Sequence, residues 1–180
     1  MADELIDICD ENNNIVGQAM KSKALAEGLW HRTARVLVYD SRGRLLAQLR
    51  SLIKELHPGK WDIGVAGHVA AGENYIDAAL REAAEEAGLE FSKPDLELVM
   101  VEKFVNFSDG LNEKGFAYSF YARFDGDESR LVPQKGEVQM LRFLTVGELE
   151  FERQRFPEKY VPHTDAYWNE LVGGIKKKIR

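Results

Sequence analysis

The segment GHVAAGENYIDAALREAAEEAGL, residues 67–89, decides the fold of this chain. From residue 74 onward its apolar side chains recur at intervals of three and four, a spacing that predicts a helix with one apolar stripe. The stripe consists of Ile76, Ala79, Leu80, Ala83 and Ala87. Gly88 is typical of the C-terminal end of a helix, and the small residues of 67–72 indicate a loop in which the backbone approaches another group closely.

Three glutamates, Glu82, Glu85 and Glu86, lie close together near the C-terminal end of this predicted helix. Like charges at intervals of three and four destabilise a helix by roughly 0.2–0.5 kcal/mol per pair, and the C-terminal end of a helix disfavours anions. One interpretation is a solvated acidic face. The other is an oxygen-rich site for a hard cation, Mg²⁺ or Mn²⁺, whose binding would relieve the repulsion.

Length and composition limit the possible classes of protein. The chain has 180 residues, which suits one domain, and a net charge of −6, which argues against binding to a nucleic-acid polymer. Anionic small molecules stay possible because a divalent cation can reverse the local charge. The single cysteine, Cys9, excludes an intramolecular disulfide. We see neither a signal-peptide segment nor a run long enough to cross a membrane, and therefore expect a cytoplasmic protein.

The rest of the chain predicts a mixed α/β fold with more strands than helices. We expect an N-terminal hairpin, a short helix that ends at Gly28, and a C-terminal helix from about residue 162. Further strands are predicted at 32–40, 45–51, 96–107, 115–125 and 137–145, and a helix at 146–155. Residues 57–69 should begin with a Pro-Gly turn and continue as a strand. Strands 96–107 and 115–125 should pair antiparallel around a polar loop, residues 108–114, so a strictly alternating parallel fold does not fit.

The fixed positions of the opening segment resemble the complete Nudix box. They are Gly67, Glu73, Arg81, Glu82, Ala83, Glu85, Glu86, Gly88 and Leu89. The resemblance implies a Nudix-type α/β/α sandwich with a mixed β-sheet over residues 29–180, preceded by a hairpin and short helix in residues 1–28. It also implies a metal-dependent hydrolase that cleaves a diphosphate linkage, in a nucleoside diphosphate-X or a related organic diphosphate, by water attack on phosphorus.

The same resemblance assigns metal ligands. Glu85 and Glu86 would be the main ligands, and Glu82 would be a further ligand or would position the attacking water. The carbonyl group of Ala66 or Gly67 would complete the shell.

Other acidic and basic residues of the box would support these ligands. Arg81 would hold the loop against the helix through Glu73 and Glu85, which is one turn away along the helix. The family often adds an acid from a later strand or loop, and Glu137 matches that kind of position. An ordinary charge at a strand edge is the other interpretation of Glu137.

Several residues outside the box are candidates for substrate binding. Arg50 and Lys60 flank the loop before the box strand and could meet phosphates, and His68 follows the first box glycine. Phe107, Asp109 and Asn112 lie in or beside the predicted loop, which could act as a lid over the substrate. For Arg50 and Lys60, the alternative is an ordinary position on the solvated surface.

Residues 29–51 and 57–69 also resemble type 1 isopentenyl-diphosphate isomerases and isomerase-like Nudix hydrolases. The isomerases carry an acidic cysteine immediately before the Gly-His pair, where this chain has Ala66. They also use a histidine seven residues before the one that matches His31, where this chain has Ala24. Because an alanine cannot donate a proton to an alkene, a hydrolase is the leading hypothesis and an isomerase is the alternative.

A third hypothesis is a non-catalytic Nudix domain that binds a ligand. The intact carboxylates speak against it. We expect a small-molecule diphosphate substrate and no membrane partner, and a homodimer is possible.

Overall fold

The computed structural model describes residues 3–108 and 111–178. The strands are β1 Leu5–Cys9, β2 Ile15–Met20, β3 Trp30–Tyr39, β4 Arg44–Arg50, β5 Trp61–Ile63, β6 Val65–His68, β7 Glu97–Ser108, β8 Leu111–Arg123 and β9 Val138–Thr145. The helices are α1 Lys21–Glu27, α2 Tyr75–Ala87, α3 Val146–Arg155 and α4 Gly173–Lys178, the last preceded by a π-helical segment, Tyr167–Val172. None of the described helices is long and apolar enough to cross a membrane.

The strands form one mixed sheet around β3. Strand β3 pairs parallel with β8 along its whole length and antiparallel with β1, β4 and β6. Strand β8 pairs antiparallel with β7, as the sequence predicts, and β4 joins β5 and β9 to the sheet. The predicted mixed topology is therefore confirmed.

Helices cover both faces of the sheet. On one face, α2 packs against alternate residues of β3 and β6, among them Ala34, Val36 and Val65. On the other face, the π-helical segment and α4 pack with Leu37 and Tyr121. Because side chains alternate along a strand, the two faces of β3 meet different helices. This arrangement is the predicted α/β/α sandwich.

The strand predicted after the Pro-Gly turn of residues 57–69 is wrong as a single element. The chain breaks at Gly64, whose φ of 78° lies in the left-handed region, and β5 and β6 pair with different partners. A Cβ atom at Gly64 would overlap the carbonyl oxygen of Val36. Glycine is therefore needed there both for its φ and for its lack of a side chain.

The predicted lid loop is also wrong for most of its length. Strands β7 and β8 continue into it and pair through Asn106↔Glu113, Phe107↔Asn112 and Ser108↔Leu111. Asp109 lies outside the described residues. Regular cross-strand pairing replaces the polar loop because the hairpin satisfies its backbone hydrogen bonds within the sheet.

The N-terminal hairpin contacts the loop that leads into α2. Strand β1 pairs with β3, and the backbone N–H of Ala71 donates to the carbonyl oxygen of Leu5 at 2.9 Å. The N–H of Gly72 donates to Asp7 Oδ2 at 2.9 Å. The hairpin therefore holds the segment between β6 and α2 in place.

Candidate active site

Helix α2 lies close against the sheet at the end of β6. The Asn74 side chain accepts a hydrogen bond from the N–H of Ile76 at 2.9 Å, which caps the N-terminus of the helix. Gly88 ends it in the left-handed conformation. The small side chains of Ala79 and Ala83 are fully buried, so the helix backbone comes near the strands. Both predicted helix ends are confirmed.

Two of the three clustered glutamates are buried. Glu82 is 9% exposed and Glu86 is 2% exposed, whereas the Glu85 side chain keeps 46% of its surface exposed. A solvated acidic face is therefore the wrong interpretation for Glu82 and Glu86. They lie one turn apart on the side of α2 that faces β6, and Glu85 stands at the rim.

Glu86 is held at the edge of β6. Its Oε2 atom accepts hydrogen bonds from the N–H of Ala66 and from Gln48 Nε2, both at 3.0 Å. Gln48 in turn donates to the carbonyl oxygen of Gly64 at 3.0 Å. Burial raises the pKa of the Glu86 carboxyl above its ordinary value, and these two donors work in the opposite direction.

Glu82 lies directly against the backbone of Gly67. A Cβ atom at position 67 would overlap all three atoms of the Glu82 carboxylate, so glycine allows the carboxylate to approach the strand. Burial, and after it the charge of Glu86, raises the pKa of Glu82 to about 7. Two buried like charges at this spacing create an unfavourable site unless a proton or a cation is shared with them.

Arg81 joins the loop to the helix. Its guanidinium donates to both oxygens of Glu73 at 3.0 Å, to the carbonyl oxygen of His68 at 2.9 Å and to Glu82 Oε1 at 2.6 Å. A weaker contact reaches Glu85 at 3.4 Å. Glu73 also accepts from the N–H of Ala70 at 2.9 Å, so one carboxylate fixes both the loop and the arginine.

We expect Arg81→Lys to lower kcat by about tenfold to a hundredfold, with a smaller change in KM, because one ammonium group cannot bridge Glu73, Glu82 and the loop at once. Steady-state kinetics on any substrate that the wild-type enzyme accepts measure the change. Arg123→Lys is the matched control, since Arg123 pairs with Asp125 on the surface at 2.6 Å. Equal kinetics for Arg81→Lys and wild type would contradict this role.

A cavity of about 800 Å³ opens beside these carboxylates, within the usual size of a small-molecule site. Of the predicted residues, Ala66, Gly67, Arg81, Glu82, Glu85, Glu86, Arg50, His68 and Glu137 line it. Glu73 acts behind this wall through Arg81 and Ala70. Arg50 donates to the carbonyl oxygen of Leu56 at 2.8 Å, and Glu137 forms an ion pair with Lys54.

Two predicted substrate-binding residues are not brought to the cavity. Lys60 lies outside the described lining, in the turn before β5. Phe107 lies near the tip of the β7–β8 hairpin with 75% of its surface exposed, also away from the lining. The sequence placed both near the box, but β5 pairs with β4 and the hairpin extends past the site.

Comparison with known proteins decides the family. The sequence profile of the NUDIX domain matches residues 29–165, which is more than half of the chain. The chain belongs to the Nudix family.

The Nudix relatives carry two kinds of name. An uncharacterized Nudix hydrolase of Streptomyces coelicolor is 41% identical over 150 residues, which cover 83% of this chain and 78% of that protein. An isopentenyl-diphosphate Delta-isomerase of Aromatoleum aromaticum is 33% identical over 163 residues, which cover 89% of this chain and 82% of the relative.

Among solved structures, a Deinococcus radiodurans protein superposes with a TM-score of 0.69 at 23% identity, covering 98% of this chain and all of that one. This structure shows the fold. The family match and the hydrolase relatives make this Nudix chain a hydrolase of diphosphate linkages in small molecules.

A second group of ligands stands at the wall of the same cavity, where His68 and Glu113 line it and the fully buried His31 lies behind them. Among the described residues, His31, His68 and Glu113 place one ligand atom each within 4.8 Å of one another. The two imidazole rings stack at 5.0 Å, and burial lowers the pKa of both histidines. Neutral imidazole and carboxylate are both metal ligands, so this group could also hold a cation.

Sequence reasoning missed three residues of the Nudix site: Arg35, Gln48 and Glu113. Gln48 and Glu113 lie in strands that join the site only through the sheet pairing, far from the box along the chain. For Arg35 a signal was available, because a charged residue interrupts an otherwise apolar strand, ARVLV, in the middle of the sheet.

Proposed function

We propose that this Nudix hydrolase uses Mg²⁺ or Mn²⁺ to cleave a nucleoside diphosphate-X or a related organic diphosphate. The observation that supports this most strongly is the pair of buried carboxylates, Glu82 and Glu86. Among the residues that the structure describes, hydrogen bonds reach only Oε1 of Glu82 and Oε2 of Glu86. The other oxygen of each is available to a cation, and hard divalent cations prefer such carboxylate oxygens. The donor set therefore fits the cation that the family implies.

Glu82, Glu85 and Glu86 would hold the cation together with the carbonyl group of Ala66 or Gly67, and Glu137 would be the further acid from a later strand. When bound, a divalent cation neutralises the diphosphate and lowers the pKa of water. Glu82 also has the environment to position a water molecule, because its carboxylate faces the cavity while Arg81 fixes one oxygen. Arg81 and Glu73 would act by keeping the loop and helix in register.

A substrate screen tests this proposal. Nucleoside diphosphate sugars, dinucleoside polyphosphates and nucleotides are incubated with Mg²⁺ or Mn²⁺, and phosphate released after phosphatase coupling is measured. We expect turnover with at least one class and none in EDTA. Turnover that is independent of metal would contradict the proposal, and binding without turnover for every class would favour a non-catalytic domain.

The isomerase alternative deserves a test because isomerase-named relatives match most of the chain. Two features oppose it: Ala66 lacks the acidic side chain, and the buried Ala24 stands where the isomerases use a histidine. NMR of isopentenyl diphosphate in D₂O with enzyme and Mg²⁺ decides between them. We expect no deuterium at C2 or C4; incorporation there, or dimethylallyl product, would overturn the hydrolase assignment.

Metal binding should stabilise the protein more at pH 8 than at pH 5.5. The pKa of Glu82 is about 7 in the folded protein and near 4.5 in the unfolded chain. The stability that the neutral carboxyl contributes is complete below pH 4.5 and is lost as the pH rises through 7. Since the cation competes with this proton, its effect grows over the same range.

Thermal melts with 5 mM Mg²⁺ or with EDTA, at both pH values, measure this effect. A dissociation constant a hundredfold below the metal concentration corresponds to about 2.7 kcal/mol. The variant Glu82→Gln should lose most of the pH dependence. An equal rise in Tm at pH 5.5 and pH 8 would contradict the role of Glu82.

Two further points stay predictions from the sequence. One is the boundary between an N-terminal extension, residues 1–28, and the Nudix domain, residues 29–180. The other concerns assembly and location: the sequence analysis allows a homodimer and predicts a location in the cytoplasm.

A further inference from the structure

Arg35 occupies the wall of the cavity that faces away from α2. It lies directly opposite Ala66 in the antiparallel pair of β3 and β6. The N–H of Ala66 points away from β3 to Glu86, so the two residues form a non-hydrogen-bonded pair, with Cα atoms about 4.5 Å apart and side chains on one face. Ala66 therefore has Arg35 as its neighbour on β3 and the buried carboxylate of Glu86 on its other side.

The guanidinium of Arg35 has donors to spare. Its Nη1 atom is buried and has no hydrogen-bond partner within residues 3–108 and 111–178. The group lies over the ring of Tyr167, with its central carbon 4.7 Å from the ring centroid. The other two arginines of the cavity differ, since Arg50 donates to a backbone carbonyl and Arg81 uses its donors on Glu73, Glu82 and His68.

Two acids, Asp62 and Glu113, interact with the charge of Arg35 from a distance. Asp62 forms a close pair with His163 at 2.6 Å, and Glu113 lies 4.0 Å from His68. In the described part of the chain, no carboxylate comes within 4.0 Å of the Arg35 nitrogens. Arg35 is half-buried, and its buried Nη1 atom is a charged donor that stays unfavourable until an acceptor reaches it. The ring of Tyr167 holds the guanidinium in place but accepts no hydrogen bond from Nη1.

We propose that Arg35 binds a phosphate group of the substrate across the β6 edge from the box glutamates. This inference rests on the proposed diphosphate hydrolysis and deepens it. A planar guanidinium can donate two parallel hydrogen bonds to one phosphate. The phosphate is either the second one of the scissile diphosphate or a further one carried by the leaving group. In both cases Arg35 contacts the substrate and contributes to its specificity.

Binding of two unreactive phosphate compounds tests the role of Arg35. Imidodiphosphate and diimidotriphosphate have nitrogen bridges that resist hydrolysis, and calorimetry with Mg²⁺ gives their Kd values. We expect Arg35→Gln to weaken binding by about tenfold to a hundredfold and Arg35→Lys to restore part of it. If affinity falls equally for both compounds, Arg35 contacts the second phosphate of the diphosphate. If affinity falls only for diimidotriphosphate, Arg35 contacts a further phosphate.

Arg153→Gln is the matched control. Its guanidinium lies over the ring of the neighbouring Trp168 at 4.4 Å, and its Nε is also buried without a partner among the described residues, but Arg153 lies outside the cavity lining. Its loss should leave both Kd values unchanged. Thermal melts check that each variant is folded. If Arg35→Gln is unfolded, the charge-conserving variant Arg35→Lys decides the question. Kd values of Arg35→Lys equal to those of wild type would then overturn the proposal.

The two proposals fail in different ways. If wild-type protein binds both compounds and Glu86→Gln weakens binding but neither Arg35 variant does, the role of Arg35 is overturned and the metal site stands. If wild-type protein binds neither compound and hydrolyses no diphosphate, both are overturned. If Arg153→Gln weakens binding of the phosphate compounds as much as Arg35→Gln does, the role of Arg35 in phosphate binding is also overturned. The common cause would then be lost packing on the rings of Tyr167 and Trp168.

Discussion

Glu86→Gln is expected to lower kcat by about a hundredfold to a thousandfold. A metal ion contributes several kcal/mol of charge stabilisation in the transition state, and each 1.36 kcal/mol is a factor of ten in rate. Glutamine keeps the shape of the side chain, and its carbonyl oxygen can still accept from Ala66 and Gln48, as the carboxylate does at 3.0 Å. It removes the negative charge, which is what a hard cation requires.

The same substitution should leave the metal-free protein at least as stable as wild type at pH 8. Burial raises the pKa of Glu86, so its ionised form is disfavoured in the fold, and that disadvantage is present once the pH is above the folded pKa. A neutral glutamine avoids it. Thermal melts in EDTA, measured beside kcat, separate a lost metal ligand from a lost fold.

Glu90→Gln is the control for the charge change. Glu90 follows α2, is exposed and does not line the cavity, so its kcat and Tm should match wild type. An unchanged kcat for Glu86→Gln would remove Glu86 from the metal site. Partial recovery of activity at high Mn²⁺ would support weakened metal affinity as the cause.

The sequence predicts the box helix well because its signals are local. A period of 3.6 residues, an Asn before the helix and a Gly after it are all contained within fifteen positions, and the structure begins and ends α2 accordingly. The contact between Arg81 and Glu73 is also confirmed, since both belong to the same motif. Short-range patterns therefore give the scaffold of the site.

The sequence does not show which glutamates are buried. The helical period places Glu85 opposite the apolar stripe, but Glu82 and Glu86 lie off the stripe as well, and the position of β6 is what buries them while Glu85 stays half-exposed. That position depends on pairing between β3 and β6, which are separated by about thirty residues. For Arg35 the charge within an apolar strand was a local signal, but its place opposite Ala66 is assigned by register and not by sequence proximity.

Substitution of two nearby glycines should separate stability from activity. Gly67→Ala is expected to lower kcat by about a hundredfold with a Tm close to wild type. The new Cβ would overlap the Glu82 carboxylate, which is the far end of a flexible side chain and can move away. The fold then survives, but Glu82 leaves the backbone of β6 and its contact with Arg81, so the metal site loses its geometry.

Gly64→Ala is expected to act mainly on the fold. Its Cβ would overlap the backbone of Val36, which cannot move without disturbing β3, and its φ of 78° disfavours alanine. We expect a loss of roughly 2 kcal/mol or more, which corresponds to a fall in Tm of about 5 °C or more for a domain of this size. Gly17→Ala, with open space around its Cβ position in β2, should change neither quantity.

Measuring kcat and Tm for the three alanine variants under identical conditions tests the assignment of Glu82 without altering its charge. If Gly67→Ala keeps full activity, close approach of Glu82 to β6 is not needed for catalysis, and Glu85 with Glu86 would suffice as ligands. If Gly67→Ala instead unfolds as readily as Gly64→Ala, glycine is needed at position 67 for the backbone of β6 and not for the Glu82 carboxylate. Low kcat with a preserved Tm would show that the space at Gly67 exists for the Glu82 carboxylate.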